Sequence, residues 1–184
     1  MNKQKLYEIL TSLPTYGPMY ISVTNDGKPY YSEGLPVRFY KKDGTEWVAN
    51  FKPGLTNFVK VMELKNSLNL LIIAYGTCYI ISPNNTTPIL VFGVGFTCIL
   101  EANNDRLVLQ DQTDLTIVEP NGTYWVTERI SWDGIKELRI ENSNVIGLSY
   151  DPIVDQWISF KYDLDSRILT GGSYQQYEIK NIEK

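Results

Sequence analysis

Catalysis by this chain would have to run without histidine, because its 184 residues contain none. That excludes Ser–His and Cys–His nucleophile pairs, His-ligated metal centres and the usual switch near neutral pH. General acid–base work then falls to carboxylates, Lys, Tyr or Cys. The closest carboxylate groupings are Asp111 with Asp114, Glu128 with Asp133, Asp151 with Asp155, and Asp163 with Asp165. Glycoside hydrolysis uses two carboxyl groups about 5–9.5 Å apart, and all-β folds can host it. Each of these pairs, however, falls where the sequence reads as a strand end or a turn, where acids also serve solubility alone. They single out no catalytic residue.

Metal and phosphate chemistry find little to work with. The stretch "DLDSR" at 163–167 begins like a calcium loop, with acids at alternate positions, but Arg167 takes the fifth place and the distal Gly and Glu are missing. Cys78 and Cys98 are the only cysteines and are not in a Cys-x-x-Cys arrangement, so they read as reduced core thiols. "FGVGF" at 92–96 follows a strand but opens no helix, so it is no phosphate cradle. We expect no transition metal bound through side chains and no cofactor.

Aromatic residues are the remaining chemical signal. Thirteen Tyr, four Trp and six Phe make 12% of the chain. Exposed Tyr and Trp favour protein interfaces and sugar-stacking sites, while aromatic cross-strand pairs simply stabilise sheets. The segments "WVTERISWDG" and "DPIVDQW" mix aromatic and acidic residues near expected turns. They nominate Trp125, Trp132 and Trp157 as the centre of a binding patch, with Glu128, Asp133, Asp151 and Asp155 as its rim. If 125–132 were one continuous strand, Trp125 and Trp132 would face opposite sides of it.

The charge balance narrows the partner. Seventeen basic against twenty-one acidic residues give a net charge of −4. No basic patch is present to release phosphate counterions, so nucleic acid is not the expected partner; mild acidity is compatible with a basic protein. The N-terminal residues carry charges at Lys3, Lys5 and Glu8 without an apolar core, unlike a secretory signal. The most apolar stretch, 68–100, is broken by Asn, Gly and Pro, well short of the roughly 20 apolar residues of a membrane helix. The expected location is the cytoplasm, with no membrane association.

These residues must be positioned by strands. Two helices are expected: 3–13, with Leu6, Ile9, Leu10 and Leu13 at helical spacing before Pro14, and about 55–65, with Leu55, Phe58, Val59 and Met62 on one face. Elsewhere β-branched and aromatic density predicts strands at 19–24, 36–42, 46–51, 70–76 and 78–82. Asp26-Gly27, Asp43-Gly44 and Asn121-Gly122 are the dipeptides of tight hairpins. Frequent turn signals, with no helical stretch between the strands beyond 66, predict an antiparallel meander rather than βαβ units.

An internal repeat supports this. "LLIIAYGTCYIISPNN" from Leu70 and "LVLQDQTDLTIVEPNG" from Leu107 share strand, break, strand, Pro and an Asn-led turn, and "NVIGLSYDP" from Asn144 continues the series. The period of about 37 residues, with several strands per unit, resembles β-propeller blades, though three units are fewer than a closed propeller's 4–8. The expected fold is therefore mostly β: an antiparallel meander of hairpin repeats, arranged as a β-sandwich or an incomplete propeller, with an N-terminal helix and a second short helix. It is read as one domain over 1–184, helix plus strands in 1–66 and repeated antiparallel strands in 67–184.

The C-terminal half also carries Arg129-Ile130-Ser131, Asp133-Gly134, Val145 with Gly147, Trp157 with Phe160, and Gly171 to Tyr174. In this form it resembles small uncharacterised bacterial β-rich proteins described as immunity-like. The resemblance implies a non-catalytic bacterial binding protein that blocks a basic partner such as a toxin or nuclease, and it carries over no catalytic residue. The alternative, drawn from the aromatics and carboxylates, is a carbohydrate-binding or glycoside-processing β protein.

Overall fold

The computed structural model describes residues 5–16 and 19–174. The chain divides into two compact units, 1–96 and 97–184. Among the described residues there are sixteen strands in four four-stranded sheets, and the one helical element is the short 3-10 turn Asn103–Asp105. The protein is mostly β, and among the described residues no sheet closes into a barrel.

In the first unit, β1 (Tyr7–Ile9), β2 (Ile21–Val23), β3 (Leu35–Tyr40) and β4 (Glu46–Phe51) form a sheet in the order β1-β3-β4-β2. The second sheet runs β5 (Lys60–Glu63), β6 (Leu70–Ala74), β7 (Thr77–Ile81) and β8 (Leu90–Phe92) in chain order. Their apolar faces share one core. Phe51 stands at its centre, with the Phe39 ring 6.1 Å and the Tyr79 ring 5.0 Å from its own. All residues of β6 and β7 are buried, which is why both read in sequence as unbroken apolar runs rather than alternating ones.

The second unit is built the same way. The strands β9 (Cys98–Glu101), β10 (Leu107–Gln110), β11 (Leu115–Val118) and β12 (Tyr124–Val126) form one meander. The other comprises β13 (Ile135–Glu141), β14 (Asn144–Asp151), β15 (Gln156–Asp163) and β16 (Leu169–Gly171). Val108, Leu115 and Ile117 from the first pack with Val145, Phe160 and Tyr162 from the second. The sequence repeat has a direct structural meaning: its three copies are the β6–β7, β10–β11 and β14–β15 hairpins, the central pair of each consecutive meander.

Neither expected helix forms. Within 3–13, Lys3 and Gln4 lie outside the described residues, and Tyr7–Ile9 is a strand pairing Tyr7 with Phe39, Glu8 with Arg38 and Ile9 with Val37. A helix this short is marginal on its own. Pairing with β3 supplies the backbone bonds instead, including Leu10 N–H to the Pro36 carbonyl at 3.0 Å. Ile9, counted on the helix's apolar face, ends 46% exposed. In 55–65 the free edge of β6 wins: Val61 enters the core from β5, opposite Ile72. Upstream, the amides of Gly54, Leu55 and Thr56 are bound by the carbonyls of Ala74, Val94 and Tyr75, leaving no helical turn to nucleate.

The turn dipeptides are mixed in outcome. Asp43-Gly44 joins β3 to β4 and Asn121-Gly122 joins β11 to β12, each with its glycine at positive φ. Asp26-Gly27 turns the chain after β2 but closes no hairpin, because β2 pairs in parallel with β4. The expected change from mixed to repeated structure between 66 and 67 falls in the connection between the paired strands β5 and β6.

Cys78 is fully buried in β7 and Cys98 is half-buried in β9. Burial pushes both thiols up, Cys78 well above the ordinary range, so neither is a poised thiolate. The expected outcome with a thiol-reactive disulfide reagent is slow modification of Cys98 and none of Cys78 until denaturant is added. Rapid titration of two thiols in the native protein would contradict this packing.

Candidate binding surface

The centre of the site is a cross-strand aromatic pair. β14 alternates half-buried and buried residues along its whole length, so its side chains divide cleanly between two faces. Antiparallel register places Tyr150 of β14 directly opposite Trp157 of β15, with ring centroids 5.1 Å apart and planes inclined by 45°. The Trp157 indole also lies beside Gly134, where an added Cβ would come 3.6 Å from the ring. Lys136 stands with Nζ 4.0 Å from the ring centroid, within cation–π range. Trp157 is 40% exposed, so the pair is a surface feature rather than core.

The hairpin turn beyond this pair is apolar. Residues 152–155 connect Asp151 to its partner Gln156, and two of them, Ile153 and Val154, are 66% and 50% exposed. The Tyr150 hydroxyl donates to Asp155 Oδ1 at 2.6 Å. That bond, then burial, then the negative field of Asp155, Asp133 and Asp151, raises the phenol above its ordinary pKa and keeps it a donor. Asp133 and Asp155 are both exposed. Asp133 accepts from Gln112 Nε2, which ties it to the β10–β11 turn.

The nominated residues thus fall into three places. Trp157, Asp133, Asp155 and Asp151 gather around Tyr150, but Asp151 is fully buried: its Oδ1 accepts the Ile153 amide at 2.9 Å and shapes the turn. It is not a rim residue. Trp132 lies in the loop between β12 and β13, so it shares no strand with Trp125. Its ring packs against Tyr174 with centroids 4.7 Å apart and planes inclined by 56°, and the Arg129 guanidinium lies over both rings. Trp125 sits apart in β12, half-buried against the core. Its Nε1 donates to the Tyr162 hydroxyl at 3.1 Å and Arg167 lies 4.0 Å over its ring. Glu128 is exposed and its charge helps raise the Tyr162 phenol.

Tyr150, Lys136, Ile153 and Val154 were not nominated from the sequence. The sequence carried a signal for Tyr150 alone: the turn-forming Asp151-Pro152 between two strand-like stretches places it near Trp157, whereas the alternation along β14 is one of burial and not of residue type. Among the described residues no three His, Cys, Asp or Glu side chains group as a metal site, and no helix is long and apolar enough to cross a membrane. No protein-family model matches the chain, and no curated protein matches it.

Proposed function

We propose that this protein is a non-catalytic binding protein, and that the end of the β14–β15 hairpin docks a basic protein partner. The observation that carries this is the exposed Trp157, paired with Tyr150 and flanked by the aliphatic turn and the carboxylates of Asp133 and Asp155. An aromatic anchor with aliphatic neighbours and charge at the rim is the make-up of an interface hot spot. The acidic rim suits Lys and Arg of a partner, steering its approach more than setting its affinity. On this reading the protein works in the bacterial cytoplasm without a cofactor, as an immunity-type partner that blocks a basic toxin or nuclease. Three features favour blade-like meanders over a sandwich: the consecutive strand order of three of the four sheets, the central hairpin those three share and the repeat length.

The carbohydrate alternative is less well supported at this surface. A sugar platform needs an open indole face, and Lys136 stands over Trp157. Ile153 and Val154 offer a hydrated sugar ring no hydrogen bonds.

The test is titration of the full chain against purified basic toxin and nuclease domains, with a glycan array run in parallel. A basic domain is expected to bind. Trp157→Ala should weaken it by about 2 kcal/mol, roughly 30-fold. Asp155→Asn should chiefly slow association and flatten its salt dependence. Glycan binding lost in Trp157→Ala would establish the alternative instead. A protein complex indifferent to Trp157 would remove this surface from the account.

A further inference from the structure

The first unit holds a cleft between two sheet edges that no strand pairing among the described residues fills. Among those residues β2 ends its sheet beside β4, and β8 ends the other beside β7. Between them lies a cavity of about 340 Å³, lined by 21–25 and Gly27 from the β2 side and by 86–91 from the β8 side. A second hollow of about 380 Å³ shares Asn25 and Val91 with it and reaches Lys52, Tyr79 and Val94. Val23 and Val91 pack against the core below, while Ile21, Ile89 and Leu90 are exposed at the rim.

The polar side chains lining the cleft are Ser22, Thr24, Asn25, Thr86 and Thr87. The Ser22 hydroxyl is engaged with the Tyr30 main chain, and Thr24 Oγ1 donates to the Lys28 carbonyl. Val23's carbonyl accepts from Lys52 N–H, on the β4 side. Alternation along an extended strand then turns the N–H and C=O of Ser22 away from β4. Unpaired strand edges are templates for another strand. A gap walled by edges on both sides admits one extended segment. The edge strand of a second copy would bring its own sheet with it and cannot enter.

Charge specifies the segment further. Neither hollow is lined by a carboxylate. Lys52 is the single charged residue lining them and makes no ion pair among the described residues. We propose that the cleft between β2 and β8 takes an extended, carboxylate-bearing peptide segment of a partner protein as an added strand. The walls accommodate about five residues, roughly 16 Å of strand. This site is independent of the Trp157 surface, which suits the opposite charge.

The experiment pans a phage-displayed library of random nine-residue peptides against the full chain. The enriched peptide is then made in four forms: unmodified, N-methylated at odd positions, N-methylated at even positions, and with its carboxylates amidated. The unmodified peptide is expected to shift the backbone amide resonances of 21–25, Thr86, Thr87 and 89–92. Each N-methylated form should bind at least about tenfold more weakly, because both edges of the inserted strand are paired. Lys52→Glu, a surface change, should weaken the unmodified peptide about tenfold and leave the amidated one unaffected. The proposal is overturned if no peptide is enriched, or if either N-methyl series is tolerated. It also fails if the shifts centre on Trp157, or if β2 and β8 are protected instead by concentration-dependent dimerisation.

Discussion

Gly34→Ala is expected to lower the melting temperature by roughly 10 °C, the effect of an overpacking cost near 3 kcal/mol. Gly34 precedes β3 and passes so close to β4 that an added Cβ would overlap the Phe51 carbonyl oxygen and crowd its carbon at 3.0 Å. The approach is fixed from both sides. Gly34 N–H donates to Asn50 Oδ1 at 2.8 Å, and Asn50 Nδ2 donates to the Ser32 carbonyl at 2.9 Å, with Asn50 itself fully buried. A backbone carbonyl cannot swing aside as a flexible side chain would, so the β3–β4 pairing must yield. Gly44→Ala is the internal comparison. Its glycine has φ of +84° but open space around it, so its cost is conformational only, about 1 kcal/mol. Thermal denaturation of both variants separates the two mechanisms. A Gly34→Ala protein no less stable than Gly44→Ala would mean the close approach at β4 is not maintained in solution.

What the sequence disclosed depended on how locally each feature is determined. β4 was legible to the residue, because "EWVANF" lies between a turn dipeptide and a proline and carries the strand-favouring Trp47, Val48 and Phe51. β6 and β7 were legible as apolar runs too short for helices. The repeat was legible because each copy's central hairpin is a local object. The N-terminal segment was misread because Leu6, Ile9, Leu10 and Leu13 satisfy a helical period by spacing alone. What decides its state is the free edge of β3, some thirty residues away in sequence. The parallel pairing of β2 with β4 is equally non-local, and no turn dipeptide announces it.

The candidate site was partly legible for the same reason. Trp157 and its acidic neighbours were found by composition, since Trp and Asp cluster near turns in this half of the chain. Composition could not separate Asp155, which is exposed and bonded to Tyr150, from Asp151, which is buried and shapes the turn. That distinction follows from hairpin register. Trp125 shows the opposite failure: it was nominated for its type, yet Tyr162, Arg106 and Arg167 hold it in place on the flank of the core.

Ser173→Ala is expected to destabilise the second unit by about 2 kcal/mol, although it removes a single oxygen. Ser131, Ser149 and Ser173 are all fully buried, and their hydroxyls bind together segments far apart in sequence. Ser173 Oγ accepts the Trp132 amide at 3.2 Å and donates to the Tyr150 carbonyl at 2.8 Å. Ser173 N–H donates to Ser149 Oγ, which in turn donates to the Ile158 carbonyl. Ser131 Oγ donates to the Gly134 carbonyl at 2.7 Å. The Ser-containing elements "RIS" and "GGSY" therefore meet in one network. Removing Ser173 Oγ leaves the Trp132 amide without the acceptor it has in the fold, and an unsatisfied buried donor costs its desolvation. Ser149→Ala breaks the next link. In a double-mutant cycle monitored by urea denaturation, the two changes should be non-additive by at least about 0.5 kcal/mol, because Ser149 Oγ holds the backbone N–H of Ser173 itself. Tryptophan emission should shift as the Trp132–Tyr174 contact loosens. A Ser173→Ala protein within about 0.5 kcal/mol of the parent would show the hydroxyls to be replaceable by water, leaving the aromatic contacts alone to fix the loop beneath the Trp157 surface.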